Sequence, residues 1–178
     1  MRWNMTAASP RGSGGDRPHG AGPANPFADA ELTAGYEQWY ESAGRHADEQ
    51  EKALLAKLIR GFPEAQSILE VGCGTGHFTR WFAGRGMKTV ALDISAPMLV
   101  EAGRMRTPSL VRGDALRLPF AARCCDLVAL ITTLEFVSDP AGALAEAVRV
   151  ARSGLILGVL NRRSGLGRRL ALEGGPIW

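Results

Sequence analysis

The stretch ILEVGCGTGHFTRWFAGRG, residues 68–86, decides the fold. It opens in the apolar run SILEV (67–71), passes through Gly72, Gly74 and Gly76 at alternate positions, and then carries Phe78, Trp81 and Phe82 along one side of a helical repeat. A buried strand running through a glycine turn straight into a helix is the first half of a βαβ unit. Glycines in such a turn adopt φ > 0 and keep side chains clear of an approaching ligand. In a doubly wound sheet this loop opens into the cleft where ligands bind, beside the free N–H groups of the following helix. The stretch therefore reads as a nucleotide-type ligand site. A bare Gly-x-Gly would be weak evidence, because turns use glycine everywhere.

Downstream, strands and helices alternate. TVALD (89–93) is a second strand. SAPMLVEAGRM (95–105) begins a helix that Ser95 can cap, with Pro97 in its first turn. SLV (109–111) is a short strand ending at Gly113-Asp114, and CDLVALIT (125–132) is a longer one. SDPAGALAEAVRVA (138–151) is a helix opened by Asp139 and Pro140, with Leu144 and Val148 spaced to share a face, and GLILGVLN (154–161) is a further strand. The alternation predicts an α/β fold, a doubly wound and mostly parallel sheet with helices on both faces.

Upstream, residues 30–62 carry Leu54, Leu55, Leu58, Ile59 and Phe62 at helical spacing, closed by Gly61-Phe62-Pro63. Residues 1–26 are rich in Gly, Pro, Ser and Arg with few bulky aliphatic side chains, a composition expected to be disordered. They lack the continuous apolar core of a secretory signal, and no apolar run reaches the ~18 residues that span a bilayer. The expected location is cytoplasmic. Cys73, Cys124 and Cys125 match neither a disulfide framework nor a zinc pattern, and they read as reduced and structural. The net charge of +3 gathers in arginines at the two ends, a pattern that suits solvated side chains; no further motif supports nucleic-acid binding, and no metal is expected.

Spacing sharpens the reading of the loop. A dinucleotide-binding Gly-x-Gly-x-x-Gly would put its third glycine at position 77, where this chain has His77. The pattern is instead Glu70-x-Gly72-x-Gly74-x-Gly76. Two acids follow at later strand ends. Asp93 closes TVALD, where a carboxylate can accept from both hydroxyls of a ribose, and Asp114 follows the third strand, where it can accept from an exocyclic amine. Each alone fits a helix cap or turn residue equally well; together, beside the glycine loop, they favour a cofactor cleft.

Here the chain resembles the class I S-adenosylmethionine (SAM)-dependent methyltransferases, whose first motif is an acidic residue followed by Gly-x-Gly-x-Gly. ILEVGCGTGHFT, ALDIS, GDALRLPF and the Asp-Pro helix start are most similar to the small-molecule group that includes ubiquinone/menaquinone-biosynthesis enzymes. The resemblance implies a Rossmann-like fold over residues 67–161. It puts Glu70, Gly72, Cys73, Gly74 and Gly76 on the methionine side, and Asp93 with Ile94 on the ribose. Asp114 with Ala115 then meets the adenine, and Ile131–Thr132 completes the pocket. It also implies that residues 27–66 form a helical lid.

The resemblance implies methyl transfer to a small-molecule acceptor by in-line displacement. The Asn/Asp-Pro-Pro-Tyr/Phe motif of the amino-methylating DNA and protein enzymes is replaced by TTLEFVSDP (132–140), which argues against those substrates. Candidates for acceptor chemistry are Tyr36, Tyr40, His46 and Glu135. Packing is the alternative for the tyrosines, and an exposed surface position the alternative for His46. His77 is expected to offer its backbone rather than its ring. Family members continue with a helix and an antiparallel strand pair, for which SGLGRRLALEGGPIW (164–178) is too short, so that pair is expected to be missing. Two other readings remain open: a SAM-binding module without turnover, and a nicotinamide-dependent dehydrogenase, which the glycine spacing and His77 oppose.

Overall fold

The computed structural model describes residue 33, residues 36–42 and 44–161, and residue 163. The expectations for residues 1–26 and 164–178, and for the part of the lid over residues 27–32, 34–35 and 43, lie outside these residues. Two helices, α1 (Tyr36–Glu41) and α2 (Arg45–Ile59), precede strand β1 (Ser67–Val71). Then come α3 (His77–Ala83), β2 (Lys88–Asp93), α4 (Ala96–Arg104) and β3 (Leu110–Arg112). Strand β4 (Cys125–Ile131), a 3-10 turn (Leu134–Phe136), α5 (Pro140–Val150) and β5 (Ala151–Gly158) complete the order.

The five strands form one parallel sheet in the order β3-β2-β1-β4-β5. The chain winds outward from β1 to β3, then returns to the other side of β1 for β4. That reversal opens a crevice at the C-terminal ends of β1 and β4, the position at which such sheets bind ligands.

Side chains alternate across the central strands with period two. Leu69, Val71, Val90, Leu92, Val128 and Leu130 face one core with Ala147 and Val150 of α5. Ile68, Leu127, Ala129, Ile131 and Ile156 face the other, against Leu55 of α2 and Phe78 and Phe82 of α3. Both faces of β1 are thus covered, which is why SILEV reads as a continuous apolar run.

The predicted caps are present. Ser95 Oγ accepts from the Met98 amide at 3.3 Å, and Asp139 Oδ1 accepts from the Gly142 amide at 2.9 Å. Two faces differ from the sequence expectation. In α5 the buried positions are Ala143, Ala147 and Val150, while Val148 is exposed and Leu144 half-buried. Small alanines let that helix approach the sheet closely. In α2, Leu55 is buried but Leu54 and Leu58 are exposed, so the apolar stripe is narrower than its composition suggests. Strand β5 also begins earlier than expected, at Ala151, directly after α5 ends. No helix among the described residues is long and apolar enough to cross a membrane.

Candidate functional site

The glycine loop joins β1 to α3, and its three glycines all have positive φ: 74° at Gly72, 54° at Gly74 and 78° at Gly76. Their surroundings differ. A Cβ on Gly72 would stand 2.4 Å from Thr133 Cγ2, and one on Gly76 would stand 2.3 Å from Thr107 Oγ1. A Cβ on Gly74 would meet only Met98 Sδ, at 3.8 Å. Gly72 and Gly76 therefore let neighbouring threonines pack against the backbone, whereas a side chain on Gly74 would meet no more than an ordinary contact. That is the fit expected of a loop that cradles a ligand.

Asp93 ties three loops together. Its Oδ2 accepts from the Gly74 amide and its Oδ1 from the Ser95 amide, both at 2.8 Å. Its backbone carbonyl accepts from the Gly113 amide at 3.0 Å. The loops after β1, β2 and β3 thus converge on one residue. Burial raises the Asp93 carboxyl above its ordinary value, while amide hydrogen bonds from Ser95, Gly74 and Ile94 oppose the shift. Each carboxylate oxygen keeps lone-pair capacity for a hydroxyl donor.

The other cofactor-site candidates fall around the same rim. Ile94 is exposed beside Asp93. Asp114 is exposed, and its Oδ1 accepts from the Leu116 amide at 2.9 Å, which fixes the turn that carries Ala115. Ile131 is buried at the end of β4. Thr132 has φ 51°, a left-handed conformation that is strained for a β-branched residue. Its amide donates to the Gly158 carbonyl at 2.8 Å. Cys73 is buried within the loop and burial raises its thiol, so it is a packing residue with little thiolate character. Glu70 sits under the loop, 2% exposed, hydrogen-bonded to the Thr79 hydroxyl of α3. Burial pushes its carboxyl up to about 8.

The N-terminal helices bear directly on the loop and α3. Glu37 of α1 accepts from Arg80 Nη2 at 2.8 Å through both carboxylate oxygens and from the Thr75 hydroxyl. His77 Nε2 lies 2.7 Å from Asp48 Oδ1 of α2, and the Tyr40 ring stacks on the imidazole at 3.7 Å between centroids. The His77 ring, expected to be idle, is thus a docking point for both helices. Sequence reasoning misses Glu37, Asp48, Thr75, Arg80 and Thr107 altogether. Their partners are far apart in sequence and carry no periodic signal.

The four candidates for acceptor chemistry separate. His46 lies on the exposed side of α2, with Nε2 2.9 Å from Gln50 Nε2; the helix repeat turns it away from the glycine loop. Tyr36 and Tyr40 are half-buried and meet edge to face, with centroids 5.8 Å apart. Burial raises both phenols above their ordinary range, so both stay protonated at neutral pH. Glu135 Oε1 accepts from the Leu160 amide at 2.6 Å and so joins the β4 exit to the β5 exit. A cavity of about 360 Å³, lined by Thr33, Ala96, Pro97, Val100, Glu101 and Arg104, lies along α4 rather than over the glycine loop.

The family model described as "Methyltransferase domain" matches residues 69–158, which spans the glycine loop, Asp93, Asp114 and the end of β4. The chain belongs to that family. Among curated relatives, this methyltransferase domain is 40% identical over 105 residues to a demethylmenaquinone methyltransferase of Renibacterium salmoninarum, covering 58% of this chain and 44% of the relative. It also matches a solved SAM-dependent methyltransferase of Thermotoga maritima at 31% identity and a TM-score of 0.69, over 82% of this chain and 67% of the other. A third match is SAM-bound CalS10, an amino pentose methyltransferase of Micromonospora echinaspora. There the identity is 30% and the TM-score 0.59, over 68% of this chain and 56% of the other. The sheet is the Rossmann-like methyltransferase fold. The chain spans under half the length of the curated relatives it matches.

Proposed function

We propose that the protein binds S-adenosylmethionine at the glycine loop and transfers its methyl group to a small-molecule acceptor. The observation that carries this reading is Gly74: it sits at positive φ in the strand–helix turn, nothing crowds its bare face more closely than Met98 Sδ at 3.8 Å, and its amide is held by the Asp93 carboxylate, inside a methyltransferase-family match. SAM would supply a methyl group carried on a sulfonium, from which the acceptor takes the methyl in line as the S–CH3 bond breaks and the neutral thioether departs.

The residues of the chain then have separable tasks. Gly72, Cys73, Gly74 and Gly76 give the backbone wall next to the methionine portion, above Glu70. Asp93, with Ile94 beside it, receives the ribose hydroxyls. Asp114 and Ala115 meet the adenine, and Ile131–Thr132 closes the cleft from β4. Residues 67–161 form the cofactor core, and α1 and α2, within the expected lid of residues 27–66, carry Tyr36 and Tyr40 toward the acceptor. Because both phenols stay protonated and Tyr40 is hydrogen-bonded to Tyr36, they help to position the acceptor as a pair rather than act as bases. Positioning accounts for much of the acceleration in such a reaction.

The similarity to quinone-pathway methyltransferases supports a small-molecule acceptor, and TTLEFVSDP in place of the Asn-Pro-Pro-type motif speaks against nucleic acid.

Calorimetric titration of the 178-residue chain with SAM, with NADH as control, tests the cofactor. Saturable SAM binding, weakened strongly in Asp93→Ala and without an NADH signal, is the expected result. A folded chain that binds NADH and not SAM would overturn it. Methyl transfer from SAM to quinone-like and amine acceptors then distinguishes turnover from binding alone.

A further inference from the structure

Thr75, inside the glycine loop, is fully buried and held from three directions. Arg80 of α3 donates through Nη1 to the Thr75 carbonyl at 2.6 Å and to Thr107 Oγ1 at 2.9 Å. Thr107, before β3, is buried against the bare face of Gly76 and donates to the same Thr75 carbonyl at 3.3 Å. From the third side comes Glu37 of α1, which accepts from the Thr75 hydroxyl and, through both carboxylate oxygens, from Arg80 Nη2. Glu37 also lies 3.7 Å from His77 Nδ1. The Glu37 and Arg80 side chains are only 16% and 23% exposed. This is a geometrically specified, partly desolvated pair, not a solvated surface contact.

We propose that Glu37 is a positioning residue: through Arg80 and Thr75 it fixes the Gly74–Gly76 backbone, so that docking of α1 and occupancy of the glycine loop favour each other. The inference rests on the reading of that loop as the SAM site. Its physical basis is the shared contact. The loop has few internal hydrogen bonds, among them Gly76 N–H to the Cys73 carbonyl at 2.8 Å, so its shape is set from behind by side chains. Removing the Glu37 charge leaves Arg80 without its main counter-ion and free to reorient away from the Thr75 carbonyl. Linkage requires the reciprocal effect: a ligand that orders the loop must strengthen the seat of α1 by the same factor.

Two measurements on the full chain test this. In the first, the wild type, Glu37→Gln, Arg80→Gln and the double variant are titrated with SAM, with folding checked by circular dichroism. Glu37→Gln is expected to weaken binding by about tenfold or more, and the double variant to lose no more than the worse single variant. In the second, hydrogen exchange of residues 36–42 is followed in the wild type, with and without saturating SAM. Slower exchange in α1 with SAM is the expected result. Wild-type affinity in folded Glu37→Gln, or α1 exchange indifferent to SAM, would overturn the proposal and leave the cofactor reading intact. A wild-type chain that binds no SAM would overturn both. If Glu37→Gln does not fold, the exchange measurement on the wild type decides alone.

Discussion

The side chain of Thr133 stands where a Cβ on Gly72 would be, and Thr133 Oγ1 donates to the Val71 carbonyl at 2.9 Å. The end of β4 is thereby stitched to the end of β1 across the crevice. Gly72 is needed for two independent reasons: its φ of 74° and the presence of Thr133. Gly74 has only the first reason, and its φ of 54° is milder.

That difference predicts unequal outcomes for the same substitution. Gly72→Ala combines a left-handed alanine with a clash against a buried threonine, and is expected to lose about 2–4 kcal/mol of stability. Gly74→Ala meets only an ordinary contact with Met98 Sδ and is expected to lose about 1–2 kcal/mol, the cost of a left-handed alanine. The added methyl stiffens a loop read as the cofactor cradle and is expected to weaken SAM binding instead. Urea unfolding together with SAM titration checks both. Equal stability losses would show that Gly74 is also held by packing.

Glu70 and Glu37 titrate in opposite directions, which gives stability two pH limbs. Burial is the main cause that raises Glu70 from 4.5 to about 8, against the hydrogen bond from Thr79. Between those values the folded chain holds a proton that the unfolded chain releases. Its contribution is full below 4.5 and is lost as pH rises through about 8. For Glu37, burial also acts upward, but hydrogen bonds from His77, Thr75 and Arg80 outweigh it and bring the carboxyl to about 2. That contribution is present above 4.5 and is lost as pH falls toward 2. Thermal midpoints measured across this range should therefore fall on both sides. Glu70→Gln is expected to flatten the alkaline limb and Glu37→Gln the acid limb. An unchanged alkaline limb in Glu70→Gln would mean that Glu70 is ionised in the fold.

At the opposite end of the sheet, Asp126 Oδ2 accepts from the Gln66 and Ser67 amides, each at 3.1 Å, and from Ser67 Oγ at 2.8 Å. Its Oδ1 accepts from Arg152 Nη1 at 2.6 Å. One carboxylate thus fastens the starts of β1, β4 and β5, about 13 Å along the strand from the glycine loop. Asp126→Ala is expected to lower stability by about 2–3 kcal/mol while leaving SAM affinity unchanged. A large loss of affinity in a folded Asp126→Ala chain would show that sheet register controls the cleft.

The legible part of this molecule is what has a local signature. The strand–glycine–helix passage, the Ser95 and Asp139 caps, and the acids at the ends of β2 and β3 all follow from short-range spacing. The latch behind the loop does not. Glu37 and Arg80 are 43 positions apart, His77 and Asp48 are 29 apart, and Arg80 and Thr107 are 27 apart. Nothing in a periodic pattern pairs them, and a charged residue on a short helix reads as solvated. Side-chain size misleads in α5 as well: Val148 looks like core, yet Ala143 and Ala147 are the residues that meet the sheet, because a close helix–sheet approach selects small side chains. The expectation for Asp93 is sharpened by the structure, since its carboxylate already holds Gly74 and Ser95 before any ribose is considered.

The strain at Thr132 gives the last prediction. A β-branched residue at φ 51° costs about 1–2 kcal/mol relative to an extended conformation, and glycine carries no such penalty. The Thr132 amide, which bonds the Gly158 carbonyl, is retained in Thr132→Gly. Glycine has more unfolded-state freedom, which offsets about 0.5–1 kcal/mol of the gain. Thr132→Gly is therefore expected to leave stability equal or raise it by up to about 1 kcal/mol. SAM affinity should move the other way if the strained threonine shapes the β4 wall of the cleft, since strain retained at a ligand site is typically held for the site's geometry. Urea midpoints and SAM titration of Thr132→Gly separate the cases. A gain in stability with weaker binding would place the strain in the service of the site. A loss of stability would mean that the threonine side chain contributes packing greater than its backbone cost, and the cleft reading of Thr132 would fall.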